Sequence, residues 1–131
     1  MFFDIVFYSH SLSKTGFGHA SRCAMIASIL KKTNKALSIA FSGQYSIESK
    51  NLIKKIYGFE THFVFACKSK VIVYDRMDDF ENPEFWSKRR LSFIKSKCKK
   101  VIFMANGRKV PNLHEDYLYI GYKIGGPKHN P

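Results

Sequence analysis

Residues 15 to 30, TGFGHASRCAMIASIL, hold the densest set of side chains that could do chemistry. Gly16 and Gly18 flank Phe17, His19 follows at once, and Arg22 comes three residues later. A histidine near neutral pH can take or give a proton. An arginine holds carboxylates and phosphates through a planar fork, and glycines let a backbone approach a ligand closely. If a helix begins here, its unpaired N–H groups and the positive end of its dipole face the same place, which suits an anion or a diphosphate. The competing readings are structural. A glycine turn before a helix can be a tight connection, His19 can cap or pack locally, and Arg22 can pair with the acidic stretch DDFENPE at residues 78–84.

Other candidates lie at the ends of apolar runs. His10 follows FFDIVFYS, where a loop histidine is expected to meet solvent. Asp75 ends KVIVYD, at what should be the carboxyl edge of a strand, where it can line a cleft or cap a turn. Asp78 and Asp79 raise the question of a metal, but no second ligand cluster with supporting spacing accompanies them. Neither a metal nor a cofactor is expected.

The elements that must position these residues alternate. FFDIVFYS, residues 2 to 9, is a continuous β-prone run that suits a central strand buried on both faces. From His19 to Lys32, the positions Cys23, Ile26, Ala27 and Leu30 follow helical spacing. Met25 and Ile29 add a second apolar stripe, so this helix is expected to be well covered, between the sheet and a further surface. ALSIAF (36–41) predicts a strand. The segment after it predicts a helix with Ser46 as N-cap, Glu48 in the first turn and Gly58 as its stop. THFVFAC and KVIVYD predict two more strands, and Pro83 a helix running to about Cys98. KKVIFMAN predicts a strand closed by Asn106-Gly107, and DYLYIGY a last short one before the tail GGPKHNP. Such alternation predicts an α/β domain, a Rossmann-like, mostly parallel sheet with helices on both faces, whose ligand lies beyond the carboxyl ends of the strands.

The opening stretch resembles the N-terminal signature G-x-G-H-x-x-R-(C)-x-x-(L/I)-A of the nucleotide-sugar hydrolases of pseudaminic acid biosynthesis. It is similar as well to the related spore coat polysaccharide proteins and, more distantly, to the glycine-rich first loop of the peptidoglycan N-acetylglucosaminyltransferase. The residues that carry the match are Gly16, Gly18, His19, Arg22, Cys23, Ile26 and Ala27, with looser extensions to Asp75 and to Gly126-Pro127. The resemblance implies one half of a GT-B architecture, in which His19 activates water at the sugar–phosphate linkage. The loop Gly16, Phe17 and Gly18, with Arg22 and Asp75, would line the substrate cleft for a nucleotide-sugar or glycan. Residues 1–125 would form the N-terminal-type domain and 126–131 a tail or truncated interdomain linker. The nucleotide-binding half is then expected on a second chain, or to have been lost by truncation.

Composition bounds the alternatives. The chain has 131 residues, enough for one domain, with 45% hydrophobic and 15% aromatic residues against 24% charged, a globular balance. Lysines and arginines number 22 against 10 acidic residues, a net charge of +12 that favours an anionic partner. The three cysteines have neither disulfide-framework nor zinc spacing. No run is long and uncharged enough to span a bilayer, so a cytoplasmic protein is expected. SKRRLSFIKSKCKK (87–100) carries a basic face, with Leu91, Ile94 and Cys98 as its inward stripe. That face can be simply solvated, or touch an acidic membrane surface, a partner subunit or nucleic acid. No RNA-binding signature, helix-turn-helix or zinc-finger pattern is present, so nucleic acid ranks behind a non-catalytic partner subunit of a split glycosyltransferase.

Overall fold

The computed structural model describes residues 2–12, 18–63, 65–75, 84, 87–104 and 117–120, with backbone alone for 18, 19 and 117–120. Strand β1 (Phe2–Ser9) leads to helix α1 (Gly18–Thr33), then β2 (Ile39–Ser42), α2 (Ile47–Leu52), β3 (Thr61–His62), β4 (Lys68–Asp75), α3 (Lys88–Lys95), β5 (Cys98–Met104) and β6 (Tyr117–Ile120). The strands form one sheet in the order β3-β2-β1-β4-β5-β6, every neighbouring pair parallel. This is the Rossmann-like α/β architecture, and its strand order reverses between β1 and β4.

Alternation along the central strands builds two cores, since successive side chains point to opposite faces. Val6 and Tyr8 of β1 pack with Ile72 and Tyr74 of β4, Val101 and Phe103 of β5, and Leu91 and Ile94 of α3. Phe7 packs on the other face with Phe41, Val73 and the small residues Ala20, Cys23, Ala24 and Ala27 of α1. Those small side chains let α1 lie close on the sheet. Met25 and Ile29 turn the other way and are 56% and 61% exposed. The helix is therefore covered on its sheet side and open on its second apolar stripe, contrary to the expectation of full cover.

Ser46 caps α2 by accepting the Ser49 N–H, and the helix continues as a π turn over Ile53–Tyr57 until Gly58 ends it in the left-handed region. THFVFAC is strand only at Thr61–His62. The chain then leaves the sheet, Phe65 at φ 56°, and crosses the α3 face, where its ring stacks on Tyr8 at 4.8 Å. Helix α3 starts at Lys88, with Ser87 accepting the Arg90 N–H as N-cap, and is shorter than the expected run to Cys98. Cys98 opens β5 instead, its thiol donating to the Ile94 carbonyl at 3.6 Å. Residues 78, 79, 83, 106, 107 and 126–131, with the expectations placed on them, lie outside the described residues. Among the described residues no helix is long and apolar enough to cross a membrane.

Candidate functional site at the carboxyl edge of the sheet

The chain leaves β1 for α1 on one face and leaves β4 for α3 on the other, which makes the ends of these two strands the switch point where such sheets hold their ligands. Ser9 and Asp75 stand side by side there, paired in register. Both are fully buried, and both point to the α1 face, two positions beyond Phe7 and Val73 of that core. One turn into α1, Arg22 and Cys23 come down onto them. Arg22 Nε and Nη2 both donate to Asp75 Oδ2, at 3.2 and 2.5 Å, and Cys23 Sγ donates to the same oxygen at 3.5 Å. A buried carboxylate needs such partners, because an uncompensated charge in a low-dielectric interior is costly.

The neighbouring groups stay neutral. Burial above all, and next the charge of Asp75, hold the Cys23 thiol well above its ordinary pKa, so Cys23 serves as a donor and not as a thiolate. Burial likewise pushes the Tyr45 phenol up. Its hydroxyl donates to the Ser42 carbonyl at 3.3 Å, which leaves Ser9 Oγ to donate to the Tyr45 oxygen at 3.0 Å. The arrangement is a packed polar network under the switch point, closed on the solvent side by Arg22, which is 32% exposed.

His10 departs from its expected solvation: it is 7% exposed. Its Nδ1 accepts the Gln44 backbone N–H at 2.7 Å, so Nδ1 carries no proton and the neutral ring carries its proton on Nε2. The ring stands edge-on to Tyr8 at 5.1 Å.

Of the residues singled out from the sequence, the structure joins Arg22 to Asp75, while residues 78–83, the alternative partners, lie outside the described residues. Gly18 and His19 stand in the first turn of α1, which begins at the switch point. Gly16, Phe17 and the side chain of His19 lie outside the described residues. Among the described residues no group of three or more His, Cys, Asp or Glu side chains could hold a metal ion. Ser9, Gln44 and Tyr45 were not anticipated. The trace they leave in the sequence is slight, a run of small polar residues after β1 and the SGQY turn after β2. Comparison with protein-family models, with curated proteins and with solved structures found no match.

Proposed function

We propose that this chain is the N-terminal-type half of a nucleotide-sugar hydrolase or glycosyltransferase-like enzyme of surface polysaccharide or glycan biosynthesis, acting with a nucleotide-binding half that lies outside these residues. One observation carries the reading: the ends of β1 and β4 and the first turn of α1, with Gly18 and His19, meet at a single switch point of a Rossmann-like sheet. Ligands of such sheets lie at that point, and the N–H groups of a helix start favour an anionic group. In this reading His19 takes a proton from water as its oxygen attacks the sugar–phosphate linkage, and the nucleotide leaves. Arg22, held at the rim by Asp75, stands one turn from that helix start. The net charge of +12 draws phosphorylated substrates toward the chain. The second half fixes the leaving group, without which the reacting groups lack their partner. The protein would work in the cytoplasm, with the basic face of α3 (Lys88 and Arg89) available to an acidic membrane surface.

A second reading, a partner subunit that keeps the fold without the chemistry, is favoured by the engagement of Arg22 with a fully buried Asp75, which gives this arginine a structural task. The test is release of nucleotide from UDP-sugars by the complex purified from its source. His19→Ala should lower the rate at least about 100-fold, the usual scale for a lost general base, with assembly and melting temperature unchanged. An undiminished rate would remove His19 from the chemistry. A complex that neither hydrolyses nor transfers sugar would establish the non-catalytic reading.

A further inference from the structure

Beyond the carboxyl ends of β2 and β3, on the side of β1 away from Asp75, lies an open pocket of about 900 Å³. Leu12, Gln44, Tyr45, Lys50, Thr61 and Phe63 are among its lining. The volume is that of a small-molecule site.

Its walls are held in place by hydrogen bonds, among them a parallel bridge between Ser11 and Tyr45. On one side the Gln44 N–H goes to His10 Nδ1 at 2.7 Å, and the Gln44 carbonyl accepts the Ser11 N–H at 2.9 Å. Ser11 in turn accepts the Ser46 N–H at 2.9 Å, and its hydroxyl meets that of Ser49 at 2.7 Å, which fixes the start of α2, the helix that carries Lys50. On the other side the Phe63 carbonyl accepts both Ser42 Oγ at 2.5 Å and the Ala66 N–H at 3.0 Å. The backbone of Phe63 is thus anchored while its ring is 83% exposed. The ring offers an apolar surface at the wall of the pocket. Lys54, one turn from Lys50, is paired with Glu60. Lys50 has no carboxylate partner among the described residues.

We infer that this pocket is a carbohydrate subsite for a pyranose that bears one anionic substituent, a phosphate or a carboxylate. The apolar face of the sugar lies on the Phe63 ring, its hydroxyls exchange hydrogen bonds with Gln44 and Thr61, and the anionic substituent faces Lys50. An exposed ring bordered by groups that both donate and accept suits a sugar, which has one apolar face and a polar rim. The inference deepens the reading above by naming the glycosyl class, and its test requires neither the second half nor hydrolysis.

The experiment is a titration of the ¹⁵N-labelled full chain, followed by amide shifts, with glucose 1-phosphate, glucuronate, methyl glucoside and inorganic phosphate. One of the two charged sugars should shift the Gln44, Lys50 and Phe63 amides saturably, and the tighter of them identifies the anionic group. Methyl glucoside should bind several-fold more weakly, and phosphate should leave Phe63 unmoved. Phe63→Ala, at a site too exposed to unfold the chain, should weaken the charged sugar about three- to tenfold. Lys50→Gln should abolish the preference for charged over neutral sugar. Silence of these amides with all the probes, a pattern reproduced by phosphate alone, or unchanged binding by Phe63→Ala would overturn the subsite. A complex that hydrolyses UDP-sugars while the pocket takes no sugar overturns the subsite alone. Sugar binding beside a His19→Ala complex of full activity overturns the catalytic role alone.

Discussion

Asp75 has no exposed surface, and a single oxygen of it receives Arg22 twice and Cys23 once. Removing the guanidinium strands a charge in the interior. Arg22→Met should therefore destabilise the chain by up to about 3 kcal/mol, the lower part of what unpairing a buried charge costs, because 32% of Arg22 lies in water. Adding Asp75→Leu should recover most of that loss, since no charge then remains to be satisfied. Urea denaturation of the two variants measures both, and an Arg22→Met chain as stable as the parent would show that Asp75 is satisfied without it. Cys23 gives a pH signature. Its folded-state pKa is raised, so its contribution is complete below the unfolded value of about 8.5 and is lost as pH rises through the folded value. Titration with a thiol reagent at pH 8 should modify the half-buried Cys98 first and Cys23 last. Early loss of Cys23 would mean that the network opens readily.

The elements meet in tight joints. Gly43, directly after β2, lies so close to β1 that a Cβ there would come within 1.8 Å of the Ser9 carbonyl oxygen, whereas one at Gly58 would meet nothing. Gly43→Ala should thus cost at least about 2 kcal/mol, as overpacking of backbone on backbone does. Gly58→Ala, strained only by its φ of 79°, should cost about 1–2 kcal/mol. Thermal melts rank the pair, and the reverse order would contradict the close approach. At the opposite edge Asp4 accepts the Ser38 N–H and hydroxyl and pairs with Lys70. The Ser38 N–H first, and Lys70 next, hold its carboxyl below the usual range. Its stabilisation is present above about pH 4 and fades as pH falls through the folded value. Asp4→Asn should therefore lower stability at pH 7 and hardly at all near pH 2, a comparison made by denaturation at the two pH values. Much of this level was legible in advance. The β-prone run of β1, the spacing of Cys23 and Ala27, the Ser46 cap and the Gly58 stop are local signals, and local physics honours them. The long strand expected in THFVFAC was not realised, because β3 pairs with β2 over two positions only. Its further apolar residues follow the crossing of the sheet, where Phe65 finds Tyr8.

At the scale of the molecule, alternating elements made the α/β class and the mostly parallel sheet readable, while the strand order was not, because it is decided by contacts far apart in sequence. The same distance hid the site. Arg22 and Asp75, 53 positions apart, are brought together by the neighbouring placement of β1 and β4, and Gln44 reaches His10 only because β2 lies on the other side of β1. The proposal of a chain that handles anionic glycosyl compounds rests on the excess of positive charge, the switch point between β1 and β4 and the pocket along the same edge. Native mass spectrometry of the complex, gently purified from its source, tests this most directly. The expected result is a nucleotide-binding α/β domain, on this chain or on a co-purifying one in a fixed ratio to it. This chain at the mass of its 131 residues, with no such domain on it or on a co-purifying chain, would contradict the two-half enzyme and leave His19 without a reaction to catalyse.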